Sequence, residues 1–195
     1  MEFIIKTTWD GRQLEESDYV KISFYDTVTN NGEVAMTVDA PFYGDPPPDA
    51  PVGALFRLWD YEVVEVFILG DDDRYLEIEV GPHGHHLVLL LDGFRNIKVH
   101  SLDLKYEWTV KDRRWTGKAL IPRGYFPKRA SKLNCYAIHG QGEARVYSSL
   151  FPTETSKFEE PEFHRLEYFQ EADFSRILRD TLNETSQLWR ETLEK

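Results

Sequence analysis

The chain has 195 residues, an apolar fraction of 41%, an aromatic fraction of 14% and a single cysteine, Cys135. That is enough for one core without cross-links; it excludes an intramolecular disulfide and fits a reducing compartment. With 34 acidic against 23 basic side chains the net charge is −11, which opposes non-specific binding of nucleic acid, and no basic stripe interleaved with aromatics offsets it.

The first residues, MEFIIKTTWDG, have neither a basic start nor a long apolar core, so they do not read as a signal peptide. LVLLL at 87–91 is far too short to span a bilayer. Cytoplasmic residence and no membrane partner are expected. In YVKISF (19–24), Val20, Ile22 and Phe24 alternate with polar neighbours, and in EVAMTVDA (33–40) Val34, Met36 and Val38 form one face. The turn NNG at 30–32 joins them as a predicted hairpin. The loop APFYGDPPPDAPVG (40–53) follows; its five prolines exclude a helix or a central strand and stiffen a segment able to wall a site.

YEVVEVFIL (61–69), the turn GDDD (70–73) and RYLEIEV (74–80) make the clearest hairpin. HHLVLLL (85–91) reads as a strand covered on both faces. LKYEWTV (104–110) and RWTGKALI (114–121) flank KDR as another hairpin, and SKLNCYAIHG (131–140) and ARVYSSLF (144–151) complete a set of about nine strands, the pattern of an antiparallel β-sandwich. From 174 to 195 the period changes. Phe174, Ile177, Leu178, Leu182, Leu188 and Trp189 follow a helical stripe, Asp173 and Ser175 offer caps, and Asn183 and Thr185 weaken the middle. The expected organisation is a β-sandwich over 1–173 with a helical segment, 174–195, packed on it.

Alternation also sorts the candidate chemistry. In 74–80, Leu76, Ile78 and Val80 point to the core and Tyr75, Glu77 and Glu79 away from it. In 61–69, Glu65 shares a face with Tyr61, Val63, Phe67 and Leu69, while Val64, Val66 and Ile68 make the better core face. A side of the sheet mixing aromatics, aliphatics and carboxylates suits a concave ligand site. A carboxylate pair, Glu65 with Glu77, would also suit acid–base chemistry such as glycoside hydrolysis. GPHGHH (81–86) lacks the third and fourth ligands that a metal site needs, and His139 and His164 read as structural histidines. Cys135 sits among apolar neighbours and reads as packing. There is no GxSxG, P-loop or HExxH, and no cofactor is expected.

LWDYEVVEVFI, RYLEIEVGPHG, NCYAIHG, LFP and PEFHRLEYF resemble the spaced blocks of the family-9 carbohydrate-binding-module-like fold. More closely, TTWDG, DAPF, LEIEVGPHGHHLVLLL, AIHG and FHRLEYF resemble an uncharacterised animal open-reading-frame protein family of about this length. The resemblance implies a β-sandwich of jelly-roll type in which Trp59 and Glu65 contact a sugar. It also implies a second aromatic facing Trp59, for which Phe151 is the best match. Arg145 and Glu77 are candidates on the same side, and GDDD at 70–73 could bind a structural calcium weakly. The leading expectation is non-catalytic binding of a carbohydrate or similar polyhydroxylated small molecule. One alternative is a cytosolic enzyme with Glu65, Glu77 or His139 as acid and base. The other is a protein-interaction module that uses the C-terminal helix.

Overall fold

The structure is a computed structural model and describes residues 1–27, 32–153 and 157–193. In chain order its strands are β1 (Glu2–Ile5), β2 (Thr7–Thr8), β3 (Val20–Asp26), β4 (Glu33–Pro41), β5 (Gly53–Ala54), β6 (Val63–Leu69), β7 (Arg74–Val80), β8 (His85–Asp92), β9 (Ile97–Val99), β10 (Lys105–Lys111), β11 (Arg114–Pro122), β12 (Lys132–His139), β13 (Val146–Ser149) and β14 (Gln170–Glu171). They form an antiparallel β-sandwich of two sheets. One is ordered β1-β3-β4-β11-β10; the other is ordered β2-β13-β12-β6-β7-β8-β5, with β14 added to β12 and β9 to β8. The only parallel pair among the described residues is β5 with β8.

The long strands are the ones that alternation predicts. β3 and β4 pair antiparallel, Phe24 opposite Met36, although the NNG turn expected between them lies largely outside the described residues. β10 and β11 are joined by Asp112 and Arg113, both at positive φ (51° and 63°), the backbone of a two-residue hairpin turn of primed type. The strands missing from the sequence reading, β1, β2, β5, β9 and β14, are two to four residues long. A period of two cannot be read over so few positions, and these segments are extended because a longer neighbour supplies their hydrogen bonds.

The core lies between the sheets. Val64, Val66 and Ile68 of β6, Leu76, Ile78 and Val80 of β7, and Val88 and Leu90 of β8 meet Ile22, Phe24, Met36, Val38, Trp115 and Ile121 of the other sheet. Each such side chain contributes roughly 1.5–3 kcal/mol on burial. The C-terminal segment breaks where its weak helix formers fall. Helix α1 (Ser175–Leu178) is followed by a 3₁₀ turn, Arg179–Asn183, and helix α2 (Gln187–Leu193). The Asp173 carboxylate accepts the Ser175 N–H at 2.9 Å. Phe174, Ile177, Leu178 and Trp189 are buried in the inter-sheet core, and the Trp189 indole N–H donates to Tyr125 O at 3.0 Å. The apolar stripe of these helices is therefore already covered. No helix of the described residues is long and apolar enough to cross a membrane.

The larger sheet has a second apolar cluster on its outer face: Val63, Phe67, Leu69, Tyr75, Leu87, Leu89, Leu91, Tyr136 and Ile138, joined by Leu58 and Phe169. This is why β8 is buried on both sides. The cover is a third layer without strands, made from the 3₁₀ turn Leu58–Asp60 and the chain around Phe163 and Leu166.

Candidate functional site

The register of the larger sheet brings the acidic residues together. Glu65 on β6 stands directly opposite Glu79 on β7 and Tyr136 on β12, while Phe67 stands opposite Glu77 and Asn134. Because successive side chains change face, Glu65, Phe67, Glu77 and Glu79 all project outward, away from the inter-sheet core. The coil layer above them does not close flat on the sheet. It leaves a cavity of about 660 Å³, a volume typical of small-molecule sites.

Trp59, Glu65, Phe67 and Glu77 line this cavity together with Arg95, Arg145, Tyr147, Phe163 and His164. Trp59 rests on the 3₁₀ turn Leu58–Asp60, and Arg145 ties that turn down. Its guanidinium donates to Trp59 O and, at 2.9 Å, to Asp60 O, and lies 5.6 Å above the Tyr147 ring. Phe56 packs edge-on against the indole at 5.3 Å. Phe163 stacks on Tyr136 at 3.8 Å and is held edge-on by Tyr147. The aromatic walls are thus fixed by packing before any guest arrives.

The carboxylates are deeply enclosed: Glu65, Glu77 and Glu79 are 2%, 3% and 0% exposed. Among the described residues no hydrogen bond or ion pair reaches Glu65, and no donor from any other residue reaches Glu77 Oε2 or either Glu79 oxygen, the two acids sharing a side-chain hydrogen bond with each other. Burial therefore raises all three acids. Glu65 is held well above the usual carboxylate range by burial and by the charge of Glu77, with Arg145 opposing. Burial pushes Glu77 up to about 8, against a side-chain hydrogen bond with Glu79 and the charge of Arg95. Glu79 is raised by burial, then by Glu65 and Glu77.

Burial lowers His164, also in the lining, to about 4, so its imidazole is neutral near pH 7. Its Nδ1 lies 2.7 Å from the Tyr75 hydroxyl, which also accepts the Arg95 N–H at 3.2 Å. A Tyr75 hydroxyl that donates to Nδ1 while accepting the Arg95 N–H would leave the imidazole proton on Nε2. Glu162 accepts both the Arg95 side chain, at 2.7 and 3.2 Å, and the His164 N–H.

The structure brings together Trp59, Glu65, Glu77 and Arg145 from the set expected by sequence, and separates Phe151 and His139 from them. Phe151 is a correction: its ring packs against the inter-sheet core, and its main chain is clamped by the Asn134 amide at 2.9 and 3.0 Å. Tyr147 and Phe163 supply the aromatic surface instead. His139 is a second correction, lying outside the cavity and stacked on Tyr43 at 3.5 Å. The proline-rich loop does not wall the cavity either; it wraps Glu62, whose carboxylate accepts the N–H groups of Tyr43, Gly44 and Asp45 at 3.0–3.2 Å. Asp71 and Asp72 of the GDDD turn pair with Arg129 and Arg74. His83 and His85 each face a main-chain carbonyl of the 40–53 loop. Among the described residues no three potential metal ligands converge.

Arg95, Tyr147 and Phe163 went unmarked in the sequence, Glu79 was placed on the outward face without being taken as a site residue, and His164 was read as a structural histidine. Glu79 had a usable signal, since it repeats Glu77 two positions on along the same face. His164 had none, because its defining contact is with Tyr75, 89 residues away in the chain.

The whole chain has counterparts of similar length. It is 44% identical over 198 residues to the UPF0462 protein C4orf33 homolog of Danio rerio, covering 97% of this chain and 98% of that one. It is 40% identical over 201 residues to the Homo sapiens UPF0462 protein C4orf33, covering 97% and 96%. No protein-family model matches the chain. Among solved structures, a "putative carbohydrate-binding protein" from Bacteroides uniformis shares the fold, with a TM-score of 0.66 at 16% identity over 88% of this chain and 84% of that one. Near-complete coverage at this identity leaves one conclusion: the chain belongs to the UPF0462 family of C4orf33 proteins.

Proposed function

We propose that the outer-face cavity binds a carbohydrate or similar polyhydroxylated small molecule without transforming it. One observation carries this reading: Trp59 and Glu65 line a single hollow, and the Glu65 carboxylate meets no protein donor among the described residues. A pyranose offers apolar ring faces to an indole and hydroxyl donors to an acid, so such a guest satisfies both groups at once. The rigid mounting of Trp59 through Arg145 limits the ordering entropy of binding. The bacterial structural neighbour, by its name, points the same way. The sole cysteine is buried and its thiol is pushed up by burial, in keeping with a reducing compartment, and the cytoplasm is the location adopted in this reading. In a titration with mono- and disaccharides followed by calorimetry, saturable binding is expected, weakened about tenfold or more in Trp59→Ala while thermal unfolding is unchanged. Absence of saturation with every sugar would sink the reading.

A second reading has a specific observation behind it. A carboxyl held near 8 at Glu77, with a neutral His164 on the same cavity, is a pairing suited to general acid–base catalysis. His139 has no part in it. Turnover of a bound sugar, abolished in Glu77→Gln with binding retained, would favour this reading over simple binding.

A further inference from the structure

The charges around the cavity do not balance. Arg95 is engaged by Glu162 through two contacts, and Asp60 at the rim pairs with Arg57 at 2.8 Å. Arg145 directs its N–H groups to main-chain carbonyls, and its charge is felt by Glu65. His164 is neutral, and Tyr75 and Tyr136, both raised by burial, carry no charge. Glu77 and Glu79 are left. Both are enclosed and neither is ion-paired among the described residues; Glu77 lines the cavity, and Glu79 lies behind it on the same face, joined to it by a side-chain hydrogen bond.

We propose that the guest of this cavity carries a protonated amine, the ligand class being an amino sugar or a comparable polyhydroxylated amine, with Glu77, backed by Glu79, as its charge partner. The proposal rests on the polyol reading of the same site and narrows it. An ammonium has three donors and no acceptor, and the Glu77–Glu79 pair, whose only shared donor is the proton between its own carboxyls, offers acceptors that no other residue satisfies among the described residues. Charge-assisted hydrogen bonds of this kind are roughly twice as strong as neutral ones. A neutral sugar leaves the two acids in competition for protons. An anionic guest, such as a sugar phosphate, would find both cavity arginines already engaged. A divalent metal finds no three converging ligands among the described residues. Because burial holds protons on these acids in the empty cavity, entry of an ammonium also expels a proton.

The test uses the unaltered protein and matched probes: glucose, glucosamine and N-acetylglucosamine, with galactose and galactosamine as a second pair. Calorimetry at pH 7 in two buffers of different ionisation heat reads affinity and proton release together. The expected result is amine binding about tenfold or more tighter than the neutral hexose and the N-acetyl sugar, with net proton release. Glu77→Gln, and independently Glu79→Gln, should reduce that preference and the net proton release. Equal affinity of amine and neutral sugar without proton release would overturn the amine and leave the polyol reading standing. Failure of every probe to bind would remove both. An amine preference untouched by either substitution would overturn the assignment to Glu77 and Glu79, and the matched-probe comparison holds even where one variant does not fold.

Discussion

Glu62 and Glu65 lie three residues apart, both enclosed, and their surroundings are opposite. The Glu62 carboxylate gathers three main-chain N–H groups from residues 43–45, so the loop that follows β4 is built around it. Glu65 gathers none among the described residues and borders a cavity. Burial of an acid therefore says little by itself. The donors that meet it separate a carboxylate that organises the fold from one left for a guest. The same contrast divides the two faces of β7, where Ile78 enters a dry aliphatic core and its neighbour Glu79 enters the acidic floor.

The largest effect should come from the dry face. Ile78→Ala opens a void between the sheets and is expected to cost about 4 kcal/mol in urea denaturation, with no specific effect on sugar binding. Glu62→Ala strands three N–H donors and is expected to cost about 3 kcal/mol, with increased amide exchange at Tyr43, Gly44 and Asp45. If that loop stays protected, the structural role given to Glu62 is wrong.

The smallest effect is the most telling for the cavity. The Glu77 pKa rises from an ordinary 4.5 to about 8 on folding, so the folded chain holds more protons than the unfolded chain between those values. Stability is then full below the lower value and falls as pH rises through the upper one. Glu77→Gln removes this slope, and the variant should gain about 2 kcal/mol on the parent between pH 5 and pH 9. Parallel pH profiles for the two proteins would show that Glu77 is solvated, and the enclosed acidic floor beside Glu65 would lose its basis.

Much of the fold was legible because long strands repeat every two residues. Val64, Val66 and Ile68 against Leu76, Ile78 and Val80 needed only alternation to declare their face. Trp59, Glu65, Glu77 and Arg145 were within reach, the first two through a motif and the others through shared faces. Phe151 was misread because a residue near a strand end has no periodic neighbours to fix its side, and the clamp by Asn134 that decides it comes from another strand. The short strands escaped for the same reason.

The sequence by itself determined the sandwich, the helical ending and the side of the sheet on which the acids stand, since these follow from local periodicity and burial of apolar surface. Tertiary structure alone decided that Glu65 faces Glu79, that Tyr75 meets His164, and that the covering coil leaves a hollow above them. Those outcomes depend on strand register and on contacts between residues far apart in the chain, and no short window of sequence contains either.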